Sequence, residues 1–546
     1  MTTGTGGDAV VETLRSAGVD TLFGIPGGHN IDLFDAVVRD GSIRAVLPRH
    51  EQGAGFMADG YARVGARTGV IACLEGPGMG NAMTALGEAL QDSSPVLVVS
   101  SQIRSDLHGG GFGVIHELPD HLRTFRAATR FSARAATVEE IPAAVAGALG
   151  VHGGGQRPGP AHVEVPEDVL AAVGSWTAAT VTRANAGVPP TAEAALDRAA
   201  SVIIGGRRPV ILAGAGASRG CAEGALTAFA EHLGAPVLTT ALGKGAIRED
   251  HELYVATISL WSPWMSDGAV ADLIASADPL IVVGSRLTDA TTKNWQMPTP
   301  ASIVRIDADP AVATNVYSID VEVTCDAAAG IEALRALLPA RNANAFSDAV
   351  LAEARRVPVD HARAAMAGGF DVVSSISQVL GPDTVLMGDS LIGLWAAVAW
   401  RTNRPRRYHV PMHFNTLGFA LPAAIGAKLA DPAAPAVALA GDGAFMFTMA
   451  ELSAAVQEEV PVIAIVCNDG GFESIRRQQR AKFDGRMVSV DIRSPDFAAF
   501  ARSVGAEGFT VGELVEFPSA LEAAAATGRP SLIEVPLSVA APWEAL

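Results

Sequence analysis

The sequence predicts an α/β protein made of three doubly wound domains, each with a parallel sheet. Its 546 residues suffice for several domains of the usual ~100–200 residues. The chain is 49% hydrophobic and 18% charged, which is far from the composition of disordered proteins. Short apolar runs that end in Gly, Asp, Asn or Ser alternate with Ala-rich stretches of helical character, which is typical of doubly wound parallel sheets.

Each third of the chain contains such runs, for example TLFGIPGG, RPVILAGAG and APAVALAGDG. Two shifts in composition, from about Ser175 to Thr191 and from about Arg341 to Ala364, indicate domain boundaries. We therefore expect domains at residues 1–180, 190–340 and 360–546. The first and the last third of the chain are candidates for distant copies of one fold.

Charge and cysteine content narrow the class of protein. The formal charge of −18 disfavours binding to nucleic acid or to anionic lipid. Four scattered cysteines form neither a disulfide framework nor a CxxC metal pair. The N-terminus lacks the pattern of a signal peptide, and no uncharged apolar stretch reaches the ~18 residues of a membrane helix. We expect a cytoplasmic protein whose partners are small molecules.

Polar residues follow two apolar runs of the C-terminal third. Gly441, Asp442 and Gly443 end the first run, and Asn468, Asp469, Gly470 and Gly471 end the second. The carboxyl ends of neighbouring parallel strands meet at one edge of a sheet, so these oxygens can converge on Mg²⁺, while the glycines let the backbone approach a diphosphate. A simple strand-to-helix turn is the alternative for the Gly-Asp-Gly segment alone.

The joint spacing resembles the motif of thiamin diphosphate-dependent enzymes of the acetolactate synthase and 2-oxo acid decarboxylase group. The resemblance implies Mg²⁺ bound by Asp442, Asp469 and the carbonyl of Gly471. The family usually has a second Asn where this chain has Asp469, so whether Asn468 or Asp469 binds the metal is open. The implied domains are pyrimidine-binding, central Rossmann-like and diphosphate-binding.

The segment Arg49-His50-Glu51-Gln52-Gly53-Ala54 also resembles this family, and it carries the glutamate that activates the cofactor. The chemistry needs a carboxyl group against a ring nitrogen of the aminopyrimidine, and Glu51 is the candidate. Further matches imply cofactor contacts at Pro26, Gly27, Asn81, Gly388, Asp389, Ser390, Leu417, Gly441, Gly443 and Ala444.

The resemblance also implies a homodimer or homotetramer, because the family pairs the N-terminal domain of one subunit with the C-terminal domain of another. Glu51 and Asp442 should then meet across a subunit interface. Gly214 and Gly216 form a weak nucleotide fingerprint in the central domain, and residues 284–290 lie where flavin-binding members carry a longer pattern. FAD is an open alternative that we do not expect.

Three further residues bear on the reaction. The loop Gly27-Gly28-His29-Asn30 has Gly where simple pyruvate decarboxylases carry an acid, and His29 stands where benzaldehyde lyase-like carboligases and some decarboxylases of larger 2-oxo acids also carry a His. His116 stands where acetolactate synthases have Gln, and its surroundings look most like decarboxylases acting on 5-guanidino-2-oxopentanoate. Glu75 replaces the usual Ser or Thr, and it either faces the pocket or points to solvent.

We predict the decarboxylation of a 2-oxo acid larger than pyruvate, with carboligation to a second carbonyl as an open outcome. The alternatives are an acetolactate synthase and a benzaldehyde lyase-like enzyme acting on 2-hydroxyketones. The predicted catalytic residues are Glu51, His29, His116 and Glu75.

Overall fold

A computed structural model describes residues 1–152, 157–181, 188–221, 224–259, 268–310, 316–341 and 344–540. The strands are β1 Thr2–Thr5, β2 Thr21–Gly24, β3 Arg44–Val46, β4 Gly69–Cys73, β5 Val96–Gln102, β6 Phe131–Arg134, β7 Ala161–Pro166, β8 Val173–Trp176, β9 Val210–Ala213, β10 Val237–Thr240, β11 Tyr254–Ile258, β12 Leu280–Val283, β13 Ile303–Asp307, β14 Val321–Thr324, β15 Val385–Gly388, β16 Tyr408–His409, β17 Ala436–Gly441, β18 Val462–Cys467, β19 Glu507–Thr510 and β20 Ser531–Val535.

The α-helices are α1 Gly6–Ser16, α2 Ile31–Asp40, α3 Glu51–Gly65, α4 Pro77–Gln91, α5 His121–Phe125, α6 Ile141–Gly150, α7 Glu167–Ala171, α8 Glu193–Gly205, α9 Ala215–Gly220, α10 Ala225–Leu233, α11 Ala269–Ala275, α12 Asp289–Thr292, α13 Ala327–Leu337, α14 Asp348–Ala365, α15 Gly369–Leu380, α16 Ser390–Ala399, α17 Ala420–Ala430, α18 Asp442–Phe445, α19 Glu451–Gln457, α20 Glu473–Lys482, α21 Phe497–Ser503 and α22 Phe517–Ala526. None of these helices is both long and apolar enough to cross a membrane.

The chain forms two compact units. The first comprises residues 1–185, 413–433 and 448–462, and the second comprises residues 186–412, 434–447 and 463–546. The first unit thus includes α17 and α19, although the sequence places both in the third domain. The limits proposed for the three domains stay a prediction.

The first unit contains a six-stranded sheet in the order β3-β2-β4-β5-β7-β6, in which all pairs are parallel. A small antiparallel pair, β1 with β8, lies beside the chain's first helix. The four inner strands of the six-stranded sheet are buried along their whole length, because helices pack on a parallel sheet from both faces, whereas its edge strands β3 and β6 are largely accessible.

The second unit contains two six-stranded sheets. The sheet β11-β10-β9-β12-β13-β14 is parallel and has the strand order of a dinucleotide-binding fold. The sheet β16-β15-β17-β18-β20-β19 repeats the order of the sheet in the first unit, strand for strand. The prediction of three doubly wound parallel sheets is confirmed, and the shared order supports two copies of one fold.

Helices α3 and α17 pack closely within the first unit because two glycines remove side-chain bulk from their interface. A Cβ on Gly60 would lie 2.1 Å from the carbonyl oxygen of Ala423, and one on Gly426 would lie 1.9 Å from that of Met57. The helices therefore touch backbone to backbone. This contact joins the helix that begins at Glu51 to the helix that follows the thiamin motif at Leu417.

A buried charge cluster flanks this contact. The guanidinium of Arg63 donates to Asp59 at 2.7 Å and to Asp92 at 3.0 Å, and all three side chains are at most 4% exposed. Arg63 also lies over the ring of Phe419, 5.1 Å from its centroid. Two carboxylates thus share one arginine, which holds the pKa of Asp92 far below its usual value despite burial.

The stretch from Arg341 to Ala364, where we expect a domain boundary, contains most of α14, in which Ser347 caps the first turn and Pro358 lies inside the helix. After the Gly-Asp-Gly segment, α18 ends at Phe445 and α19 begins only at Glu451.

Candidate active site

Three of the predicted catalytic residues of the first unit, His29, Glu75 and His116, lie together around a buried carboxylate. Glu75 is fully buried, and one of its oxygens, Oε1, is hydrogen-bonded to Nδ1 of His29. Its other oxygen, Oε2, accepts a hydrogen bond from the hydroxyl of Ser101. His116 lies beside the pair, with its Nδ1 3.9 Å from Glu75 Oε1 and its ring centroid 5.3 Å from that of His29.

The topology of the sheet explains this convergence. His29 follows β2 and Glu75 follows β4, and these adjacent parallel strands flank the point where the strand order reverses. Ligand sites of doubly wound sheets lie at the carboxyl ends of the strands at this point. Ser101, which the sequence analysis missed, lies near the end of the next strand, β5, so its place in the apolar run SPVLVVSS was the available signal.

Local contacts shape the two loops. The buried Asn30 side chain accepts from the amide of Gly27 at 2.6 Å and donates to the carbonyl of Ile25 at 3.2 Å. Gly76 has a φ of +61°, and a Cβ there would lie 2.5 Å from the carbonyl oxygen of His116. Pro26 is exposed at the turn. Each loop is therefore held by its own polar contacts or by a glycine that admits a close backbone approach.

The orientation of Glu75, which the sequence left open, is settled by burial. The carboxylate points inward, and both of its oxygens already have partners. The carboxylate therefore orients His29, because a ring held through one nitrogen turns its other nitrogen away from the carboxylate. That other nitrogen, Nε2 of His29, lies 3.7 Å from a carboxylate oxygen of Glu167, the first residue of α7.

Glu51 begins α3 and faces the start of α4. Asn81 Nδ2 donates to Glu51 Oε2 at 2.9 Å, and a Cβ on Gly78 would lie 3.3 Å from Glu51 Oε1. Burial raises the pKa of the Cys73 thiol, and the nearby carboxylates of Glu51 and Glu75 raise it further. A Cβ on Gly78 would also lie 3.3 Å from Cys73 Sγ, so Glu51 lies near the end of β4, the strand that Glu75 follows.

Glu451 anchors the chain immediately before Glu51, and the sequence analysis missed it. Its carboxylate accepts from the backbone amide of Arg49 at 3.0 Å and from that of His50 at 3.1 Å. It is 1% exposed, and a Cβ on Gly53 would lie 2.1 Å from its Oε1. Burial raises the pKa of Glu451 to about 7. No separate motif marks this glutamate, because its partners are backbone groups remote in the chain.

The second unit places the Gly-Asp-Gly segment at the end of β17. Asp442 begins α18, and its Oδ2 accepts from the hydroxyl of Ser494 at 2.7 Å. The amide of Gly441 donates to Ser390 Oγ at 3.0 Å, and Ser390 itself has a φ of +53°. A Cβ on Gly443 would lie 2.8 Å from the ring of Phe472, so this turn admits only glycine without rearrangement.

Asn468 and Asp469 follow β18, the neighbour of β17, as the sequence predicts. The Asn468 side chain is fully engaged, because its Nδ2 donates to Glu534 at 2.7 Å and its Oδ1 accepts from the amide of Gly470 at 3.1 Å. Asp469, in contrast, has a buried Oδ1 without a hydrogen-bond partner among the described residues. Burial and the nearby charges of Asp442 and Glu473 raise the pKa of Asp469 to about 6.

Comparisons with known proteins decide the family. Three family models match the chain: thiamine pyrophosphate enzyme, N-terminal TPP binding domain, at residues 4–124; central domain, at 196–337; and C-terminal TPP binding domain, at 390–535. The probable 2-ketoarginine decarboxylase AruI of Pseudomonas aeruginosa is 36% identical over 97% of this chain and 94% of the relative. The chain is a thiamine pyrophosphate enzyme.

Acetolactate synthases are also similar to this thiamine pyrophosphate enzyme. The large subunit from Corynebacterium glutamicum is 30% identical over 97% of the chain and 86% of the relative. The isozyme 2 large subunit from Escherichia coli is 30% identical over 97% of the chain and 95% of the relative. The suspected family is thus confirmed, together with its dependence on thiamin diphosphate.

The remaining cofactor residues of the prediction fall into both units. Leu417 lies in the first unit, half-buried between Thr416, which donates to Glu88 at 3.0 Å, and Gly418, which has a φ of +85°. In the second unit, Gly388 ends β15 and Asp389 is buried at the start of α16, while Ala444 lies buried within α18. Their contacts with the thiamin diphosphate stay a prediction.

The glycines of the central nucleotide fingerprint have a structural reason. A Cβ on Gly214 would lie 2.3 Å from the carbonyl oxygen of Gly284, and one on Gly216 would lie 2.7 Å from its Cα. The loops that follow β9 and β12 thus pack backbone to backbone. This packing accounts for both glycines without a nucleotide, and FAD remains the alternative stated from the sequence.

Proposed function

We propose that this thiamine pyrophosphate enzyme decarboxylates a 2-oxo acid larger than pyruvate. The observation that carries the proposal is the buried carboxylate of Glu75 bonded to His29, with His116 alongside and Glu51 near Cys73, two residues before Glu75. A relative named as a probable 2-ketoarginine decarboxylase matches along nearly the whole chain and supports this choice. Acetolactate synthesis is the second candidate, supported by the other relatives.

Bound thiamin diphosphate supplies the electron sink that makes loss of the carboxyl group feasible. Glu51 presents a carboxyl group to the cofactor's pyrimidine, and the side-chain amide of Asn81 orients this carboxyl group by donating to Glu51 Oε2. Glu75 orients the imidazole of His29, so that Nε2 is the atom that takes up or delivers a proton. His116, which is 28% exposed, flanks the same space.

We propose that Asp442 and Asp469 bind Mg²⁺, together with the carbonyl of Gly471. Carboxylate and carbonyl oxygens are the ligands Mg²⁺ prefers, and the unpartnered Oδ1 of Asp469 is a buried acceptor in need of a cation. The Asn468 side chain is committed to Glu534 and Gly470, so Asp469 is the better candidate. A Cβ on Gly471 would lie 2.0 Å from an Arg476 nitrogen, so the absence of a side chain at this position leaves room for the arginine.

We also propose a homodimer or homotetramer in which Glu51 and Asp442 of different subunits complete one site, as the family resemblance implies. Mixing two inactive variants, Glu51→Gln and Asp442→Ala, tests this directly. Restored turnover after subunit exchange supports the shared site, and a mixture without activity contradicts it. A cytoplasmic home is the matching expectation, since all four cysteines are free and buried.

The reaction is tested by carbon dioxide release from purified protein with thiamin diphosphate and Mg²⁺. Pyruvate, branched, aromatic and guanidino 2-oxo acids are compared, and the products are identified by mass spectrometry. Release from one large acid with an aldehyde product supports the proposal. Release from pyruvate with acetolactate as product favours the second candidate. Cleavage of 2-hydroxyketones without release from any acid makes the enzyme benzaldehyde lyase-like.

A further inference from the structure

Glu167 is the carboxylate that remains available at the rim of the cluster. The side chains of His29, His116 and Glu167 are 21%, 28% and 29% exposed, whereas Glu75 beneath them is fully buried. Glu75 cannot serve a ligand directly, because His29 and Ser101 occupy its two oxygens. The accessible negative charge next to the reacting imidazole therefore belongs to Glu167, whose Oε2 lies 3.7 Å from His29 Nε2.

We propose that Glu167 binds the cationic end of the substrate and makes the enzyme specific for a 2-oxo acid with a guanidinium tail. This inference rests on the proposed decarboxylase function. A carboxylate and a guanidinium form paired charge-assisted hydrogen bonds, which an ammonium or a neutral tail matches less well.

The neighbouring residues explain why Glu167 is suited to this role and Asp168 is not. Asp168 Oδ1 accepts from the amide of Ser105 at 2.9 Å and from its hydroxyl at 3.1 Å, which commits it to holding the following loop. Arg104, a nearby cation, is engaged by Asp106 at 3.1 Å and 3.2 Å. The adjacent carboxylates of Glu167 and Asp168 thus form a matched pair for comparison.

The test compares two acids of equal shape, 5-guanidino-2-oxopentanoate and its neutral ureido analogue, on the holoenzyme. Glu167→Gln should lower kcat/KM for the guanidino acid about 10- to 100-fold, mainly through KM, because one charge-assisted contact is lost. Any effect of the lost charge on His29 is common to both acids, so the ratio of the two kcat/KM values, guanidino over ureido, should fall by this same factor. Asp168→Asn, which removes the same charge one residue away, should leave the preference of the wild type intact.

The ureido acid separates specificity from chemistry. Damage to the proton chemistry of His29 would lower turnover of both acids equally, whereas loss of the tail contact affects only the guanidino acid. A Glu167→Gln enzyme that still prefers the guanidino acid to the wild-type extent overturns the inference. So does a wild type that decarboxylates other 2-oxo acids but shows no preference between these two, and that result leaves the proposed function standing.

Calorimetric titration with 5-guanidino-2-oxopentanoate gives an answer independent of turnover. If the wild type decarboxylates no acid, the proposed function fails, and binding alone then decides the role of Glu167. Binding to the wild type that weakens about 10-fold or more in Glu167→Gln supports the inference. Equal affinity of the two proteins, or no binding to either, contradicts it.

Discussion

Replacing Gly426 by Ala tests whether the backbone contact between α3 and α17 holds the first unit together. The added Cβ would lie 1.9 Å from the carbonyl oxygen of Met57 and 2.9 Å from the amide nitrogen of Tyr61. Ordinary van der Waals contact begins near 3.4 Å, so the helices must separate by about 1.5 Å. Backbone atoms cannot rotate away as a flexible side chain can, and the whole interface must yield.

The magnitude follows from two opposing terms. An alanine inside a helix is intrinsically about 1 kcal/mol more favourable than a glycine. Overpacking a well-packed interface typically costs about 1–3 kcal/mol. A clash with backbone atoms costs the upper end of this range or more, because these atoms cannot move aside. We expect a net loss of about 2–3 kcal/mol in the free energy of unfolding, which lowers the Tm of a unit of this size by about 4–12 °C.

Thermal denaturation of Gly426→Ala beside Gly80→Ala is the measurement. Gly80 lies inside α4, and a Cβ there would meet nothing within 4 Å, so the control should keep or slightly raise the Tm. Gly60→Ala should show a loss similar to Gly426→Ala, and the double variant should lose less than the sum, because the first substitution already parts the helices. A Gly426→Ala protein as stable as the control would refute the reasoning.

Four further outcomes are expected. Glu51→Gln should bind thiamin diphosphate with unchanged affinity in calorimetry yet lose most turnover, and retained turnover would return Glu51 to a purely structural role. Asp469→Ala should lose Mg²⁺-dependent cofactor binding, whereas Asn468→Ala should lower the Tm but keep the metal affinity; the reverse pattern would exchange their roles. Arg63→Met removes the guanidinium that two buried aspartates share, although Asp92 keeps His413 at 2.6 Å, so denaturation should show a loss of about 3–5 kcal/mol, and a loss below about 1 kcal/mol would contradict the buried cluster. Burial raises the pKa of Glu451 from 4.5 to about 7, so the protonated side chain stabilises the fold fully below pH 4.5, and this contribution is lost as pH rises through 7. The wild type should therefore lose about 3 kcal/mol of unfolding free energy over this range, and Glu451→Gln should not. Identical pH profiles of stability for the two proteins would argue against the raised pKa.

Motif residues close to strand ends could be predicted from the sequence. Asp442 and Asp469 were placed at the carboxyl ends of neighbouring strands, and the structure puts them there. Apolar runs that end in glycine or a polar residue encode both the strand and the position of its last residue, so local chemistry was enough.

Interactions between distant segments could not be predicted. Nothing in the chain near Glu75 indicates that the carboxylate turns inward, because its partners His29 and Ser101 come from other loops and strands. The commitment of Asn468 to Glu534 likewise depends on the pairing of β18 with β20.

The sequence by itself determined the parallel-sheet architecture and the thiamin diphosphate family, and it supplied Glu51 as the candidate for the activating glutamate. These depend on periodicity and on residue types at short spacing, which the chain carries locally. Only the tertiary structure decided which acid is buried and which is accessible. Burial and hydrogen-bond partners arise when strands pair and loops meet, and these contacts commit Glu75 to His29 while leaving Glu167 exposed at the rim.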